Sequence, residues 1–230
     1  MNNYDLTRLV IASLFIFGAI AFALARFIKV EHPITTKFIT RTAIFAAFAT
    51  ILYIVPYFKF SIPIFPMFLE FHFDEIPVLI AGFAYGPLSA FFVVLVKTII
   101  KLPMTSSLGV GELVDFIYAL LLAIPAAIWY KKHRSIKGAM VGLSIGFIIQ
   151  VISASLITSY LVLDFYIFVM GFSKEALIAM CTAANPNVTS LGFTFFLYVA
   201  LPFNAIKDVA VIIMTLVLYK NIHRVIEKIA

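Results

Sequence analysis

Hydrophobic residues make up 63% of the 230 and charged residues only 12%, with a mean hydropathy of +1.10, which excludes a water-soluble globular domain and places the chain among polytopic membrane proteins. The net charge of +6 is not a nucleic-acid signature, because the basic residues are bunched between apolar segments instead of lying along one exposed face. The single cysteine, Cys181, allows neither an intrachain disulfide nor a Cys/His metal pattern.

The first apolar segment, residues 6–28, is too long for a signal-peptide core and lacks a small-residue cleavage site followed by a polar chain, so it reads as a membrane helix. Lying along the membrane surface is its alternative, and the later segments would keep their orientation either way. Residues 26–41 form a basic link with Pro33 inside it, cytoplasmic by the positive-inside rule. The helix expected over 38–55 carries Ala43 and Ala47 four apart, a spacing that lets another helix approach closely, within the bundle or from a partner. Residues 56–69 hold Pro56, Pro63 and Pro66 among aromatic and aliphatic side chains. They are too broken for a helix and too apolar for a solvated loop. Such a segment either lies in the membrane interface or folds over a cavity as a lid.

A short apolar helix is expected over 71–85, with His72, Asp74 and Glu75 at its start, and Gly86-Pro87 turns it into a helix over 88–100. Lys101 at that helix's end can snorkel, whereas Lys97 lies deeper and is, with a ligand, one of the two partners open to the carboxylates Glu112 and Asp115. Glu112 and Asp115 open the helix over 112–130, where carboxylates also suit the helix dipole. The run Lys131, Lys132, Arg134 and Lys137 returns the chain to the cytoplasm, and residues 139–163 cross outward again. Residues 164–187 are mixed, with a short helix over 173–181 and a turn at Asn185-Pro186-Asn187.

The last apolar run, 191–219, is interrupted by Pro202 and then by Asn204, Lys207 and Asp208, which share one helix face near mid-membrane. A lysine there costs about 2.5–3.5 kcal/mol on insertion scales. It is retained either as an internal Lys207/Asp208 pair or as the polar wall of a ligand site. Lys220, Arg224 and Lys228 place the C-terminus in the cytoplasm, giving seven segments with the N-terminus outside. No nucleophile–base constellation, phosphate loop or His-Glu-x-x-His occurs, and His72 beside two carboxylates is a weak metal signal. An enzyme, a resident cofactor and a metal are therefore not expected. Lys97, Glu112, Asp115, Asp164 and Asn204, with Lys207 below them, suit a small aromatic guest bearing amides or hydroxyls.

Three blocks, Phe71-His72-Phe73-Asp74-Glu75-Ile76-Pro77 continuing to Phe83, Gly86-Pro87, and Gly109-Val110-Gly111-Glu112-Leu113, resemble the substrate-binding S components of energy-coupling factor (ECF) vitamin transporters. Leu201-Pro202-Phe203-Asn204-Ala205-Ile206-Lys207 and Asp164-Phe165-Tyr166-Ile167 are most similar to the riboflavin-specific branch. The resemblance runs from about residue 37 to 219. It implies an all-α bundle of six membrane helices (37–230), preceded by an extra membrane helix and its cytoplasmic link (1–36). It also implies a multi-pass subunit of a prokaryotic plasma membrane that captures riboflavin and works with a transmembrane coupling subunit and two cytoplasmic ATPases. By the same likeness residues 57–68 would be a lid, and Ala43 and Ala47 would face the coupling subunit. Asn204 and Lys207 would meet the flavin, with Asp164, Lys97, Glu112, Glu75, Phe68, Phe65 and Asn185 completing the candidate site. Two positions depart from the family pattern, Asp164 in place of Asn and His72 in place of Asp. The alternatives are an S component for pantothenate or folate, and an ion-coupled carrier relaying charge through Lys207, Asp208, Glu112 and Asp115.

Overall fold

The computed structural model describes residues 34–229, and side-chain surroundings as far as Lys220, so the expected first segment lies outside the described residues. Among the described residues the only regular secondary structure is helical, with no strand and one antiparallel bridge between Phe60 and Phe71. Among the described residues, five helices are long and apolar enough to cross a membrane: α1 (Thr36–Ile54), α3 (Pro87–Met104), α4 (Val110–Lys132), α5 (Ile136–Phe168) and α7 (Phe193–Lys220). A shorter apolar helix, α2 (Glu75–Tyr85), and a peripheral one, α6 (Lys174–Ala184), complete the set.

Local chemistry sets the ends. Thr35 Oγ1 accepts the Phe38 N–H at 3.2 Å and caps α1, which stops where Pro56 withdraws the next donor. The helix expected from residue 71 begins only at Glu75, because Phe71 is held in two backbone hydrogen bonds to Phe60 (2.8 and 3.2 Å) and His72 and Asp74 are turned inward as polar partners. Gly86, at φ +91°, makes the sharp turn that Pro87 converts into the first residue of α3.

α2 is buried along nearly its whole length, between α1, α3, α4 and α7. α4 and α5 lie closest of all: a Cβ on Gly146 would stand 2.2 Å from the Leu122 carbonyl oxygen, and one on Gly142 would stand 2.7 Å from that of Ala126. Among the described residues two helices contain a π turn, α5 at Thr158–Val162 and α7 at Phe196–Ala200. Such turns are frequent at functional sites because they redirect side chains within a continuous helix. Pro202 follows the second and has no N–H for the Tyr198 carbonyl four residues back. Asn185 Nδ2 donates to that oxygen at 3.3 Å instead.

Candidate functional site

Between α1, α4, α5 and α7 the bundle encloses a cavity of about 570 Å³, within the size of small-molecule pockets. Its top is the proline-rich segment, which the sequence left between a surface position and a lid. Met67, Phe68, Leu69 and Glu70 line the cavity, while Phe65 is buried against Phe71 and Phe203 at ring separations of 6.3 and 5.4 Å. Phe68 stands edge-on to Tyr166 at 6.2 Å and stacks with Phe195 at 6.3 Å, so the segment is held down by aromatic contacts from α5 and α7.

The floor is ionic. Lys207 Nζ donates to Glu75 Oε1 at 2.8 Å and to His72 Nε2 at 3.2 Å. The other ring nitrogen, Nδ1, bonds to Asp74 Oδ1, and the fully buried Lys97 donates to Asp74 Oδ2. Tyr53 donates its hydroxyl to Asp115 Oδ2 at 2.6 Å, and Lys97 lies 5.0 Å from the centroid of its ring. Five helices or their leading segments are thus tied together beneath the cavity. The ligating atoms of His72, Asp74 and Glu75 lie within 4.8 Å of one another, a spacing that would suit a metal. The Lys97 and Lys207 ammonium groups already supply the positive charge that a metal would bring.

At the side, Glu112 Oε2 accepts from Thr105 Oγ1 at 2.6 Å and from Ser107 Oγ at 3.4 Å, and Ser107 Oγ accepts the Gly111 N–H at 2.8 Å. Opposite, Asn204 Nδ2 donates to Ala200 O at 2.8 Å and to Ser155 Oγ at 3.3 Å, so its carbonyl oxygen is the acceptor left for a guest.

Of the candidate binding residues, the structure brings Asn204, Lys207, Glu112 and Phe68 to the cavity wall. Glu75 and Lys97 stand behind it as ionic partners, and Phe65 anchors the covering segment. Asp164 and Asn185 do not line the cavity, and Asn185 serves the Tyr198 carbonyl. Asp115, grouped with Lys97 and Glu112 from the sequence, also lines the cavity, and cavity residues outside the candidate set include Tyr53, His72, Tyr118, Tyr166 and Phe203. His72 and Asp115 were distinguishable in the sequence as ionisable groups at the ends of apolar segments. The aromatic ones carried no such signal.

A membrane-length helical bundle around an aromatic cavity with a charged floor defines a polytopic membrane protein with a cavity of small-molecule size inside the bundle. The chain belongs to the family described as "ECF transporter, substrate-specific component", which matches residues 37–219. It is therefore a transporter component and not an enzyme. It is 25% identical over 181 residues to the riboflavin transporter RibU of Staphylococcus aureus (strain TCH60), covering 79% of this chain and 89% of that one. It is 24% identical over 193 residues to the riboflavin transporter FmnP of Bacillus subtilis (strain 168), covering 83% and 95%. The solved structure described as "Structure and mechanism of the S component of a bacterial ECF transporter" superposes with a TM-score of 0.62 at 25% identity, over 82% of this chain and 96% of that one.

Proposed function

We propose that this chain is the riboflavin-binding S component of an ECF importer in a prokaryotic plasma membrane. It takes the vitamin from outside the cell and relies on a transmembrane coupling subunit and two cytoplasmic ATPases for uptake. The observation that carries this reading is the cavity itself, aromatic at Phe68, Tyr166 and Phe203 and polar at Asn204, Lys207 and Asp115, in a chain whose relatives include two riboflavin transporters. The flat flavin ring packs among the aromatic side chains. The Asn204 carbonyl accepts the ring N–H, Lys207 donates to a ring carbonyl, and Glu112 and Asp115 accept ribityl hydroxyls.

The cytoplasmic C-terminus follows from the basic links. On α1, Thr42, Ala46 and Ala49 are buried while Ala43 and Ala47 are exposed, which leaves these two small residues to meet the coupling subunit.

The test is the absorption spectrum of the purified full chain, followed by titration of riboflavin fluorescence. Flavin bands and sub-micromolar binding are expected; a colourless protein with no binding at micromolar riboflavin overturns the proposal. Pantothenate and folate in excess are expected not to compete. Because Asp164 stands off the cavity wall, Asp164→Asn is expected to change riboflavin affinity by less than about threefold, a change below 1 kcal/mol. A loss of tenfold in the same titration would bring Asp164 into the site.

A further inference from the structure

We propose that Thr105, in the turn between α3 and α4, is a positioning residue of the binding site. It holds the Glu112 carboxylate so that one oxygen is presented to the cavity, and through that oxygen the site selects a guest carrying a hydroxylated chain. This deepens the riboflavin reading above and rests on it. Thr105 does not itself line the cavity, whereas Ser106, Ser107, Gly111 and Glu112 do. Its Oγ1 accepts the Ser107 N–H at 3.1 Å and the Gly109 N–H at 2.9 Å, which occupies both lone pairs of the hydroxyl. The one proton left to it has its shortest acceptor in Glu112 Oε2 at 2.6 Å, with Ser107 Oγ farther off at 3.4 Å.

The turn depends on those bonds. It passes through two left-handed residues, Leu108 at φ +53° and Gly109 at φ +87°, and a leucine stays in that conformation only where its surroundings hold it. Gly111 packs against the same knot: a Cβ there would stand 2.6 Å from Ser107 Oγ, the atom that accepts the Gly111 N–H. Glu112 is 5% exposed, so these donors set its orientation with little help from solvent. Oε2 takes the Thr105 and Ser107 hydroxyls, while Oε1 takes no hydrogen bond from the described residues. An acceptor held this way rewards a hydroxyl and rejects an apolar group at the same place, which would leave the oxygen buried and unpaired. Asp115 follows one turn later on α4, also at the cavity wall, with Oδ2 accepting the Tyr53 hydroxyl. Two acceptors spaced along one helix face suit neighbouring hydroxyls of a polyol chain, and the ring N–H of a flavin is left to Asn204.

The experiment is fluorescence titration of the full chain in detergent with riboflavin and with lumiflavin, which keeps the ring and carries a methyl group where riboflavin carries the ribityl chain. The ratio of the two affinities decides, because a fault in folding lowers both together and leaves their ratio alone. Thr105→Val keeps the shape and removes the hydroxyl; it is expected to lower the riboflavin-to-lumiflavin ratio about tenfold, the worth of one hydrogen bond to a carboxylate. Thr105→Ser keeps the hydroxyl and is expected to recover most of that loss. Glu112→Ala is expected to lower the ratio at least as far, and adding Thr105→Val to it to change the ratio by less than about twofold, since Thr105 then has nothing to hold. An unchanged ratio in Thr105→Val or in Glu112→Ala overturns the proposal, as does a Thr105→Ser ratio as low as that of Thr105→Val, or effects that multiply in the double variant. A wild-type chain that binds neither flavin overturns the vitamin assignment and this role with it. Riboflavin bound as tightly by Thr105→Val as by the wild type overturns the role alone.

Discussion

Lys207→Ala is expected to weaken riboflavin binding by a hundredfold or more and to lower the melting temperature of the purified chain. Lys207 is 4% exposed and bridges Glu75 and His72, so its removal strands a carboxylate in the bundle interior. Glu75 has little in reserve, because its second oxygen, Oε2, is buried with no hydrogen-bond partner. Breaking a buried pair by deleting one member costs about 3–5 kcal/mol, most of it the penalty on the charge left behind. Losing a charge-assisted hydrogen bond to the guest removes roughly 1.5–3 kcal/mol more from binding, a ten- to hundredfold factor in affinity. The two effects separate in the double variant Lys207→Met, Glu75→Leu, which discards both charges. Its melting temperature is expected to recover towards wild type while its riboflavin titration stays weak. Unchanged binding in Lys207→Ala would place the guest elsewhere in the bundle.

The importance of Lys207 was legible in the sequence because a lysine inside an apolar run must have a reason to be there. Its partner was not. The sequence offers Asp208 as a neighbour, but adjacent residues on a helix point about 100° apart and do not face each other. In the structure Lys207 turns to α2 and His72, while Asp208 is buried with Oδ2 unpartnered. Lys97 shows the same limit. Its need for a counter-charge followed from depth alone, yet the acceptor is Asp74, 23 residues earlier, and not a carboxylate of the next helix. The spans themselves were readable because apolar length and basic links are one-dimensional quantities. The late start of α2 was hidden because it depends on the Phe60–Phe71 bridge and on inward-facing ion pairs. Both π turns were hidden as well, since each adds one residue to a turn without disturbing an all-apolar pattern. With 25 Phe and 10 Tyr in the chain, an aromatic wall residue such as Tyr166 or Phe203 has no contrast against its background. Only the fold selects which ones meet the cavity.

Asp74→Leu is expected to be the most damaging single substitution beneath the cavity, because Asp74 is the acceptor shared by two other buried groups. It is 0% exposed, with Lys97 on one oxygen and His72 on the other. Without it the Lys97 ammonium, also 0% exposed, keeps only the face of Tyr53 at 5.0 Å, and the Nδ1–H of His72 loses its acceptor. The expected loss is about 3–5 kcal/mol of stability for the uncompensated lysine, with the stranded imidazole N–H adding about 1–3 kcal/mol. Lys97→Met is expected to cost less, because Asp74 retains His72 as a donor. Adding Lys97→Met to Asp74→Leu removes the stranded charge, so the double variant is expected to melt above Asp74→Leu alone, a coupling of about 2–3 kcal/mol. Thermal unfolding of the four purified chains in one detergent closes the cycle. Strict additivity would mean that Asp74 and Lys97 contribute independently and that the shared-acceptor account of this cluster is wrong. The same four proteins titrated with riboflavin carry the argument to the site, since an ionic floor that sets Lys207 through His72 loses affinity when Asp74 is absent even where the chain remains folded.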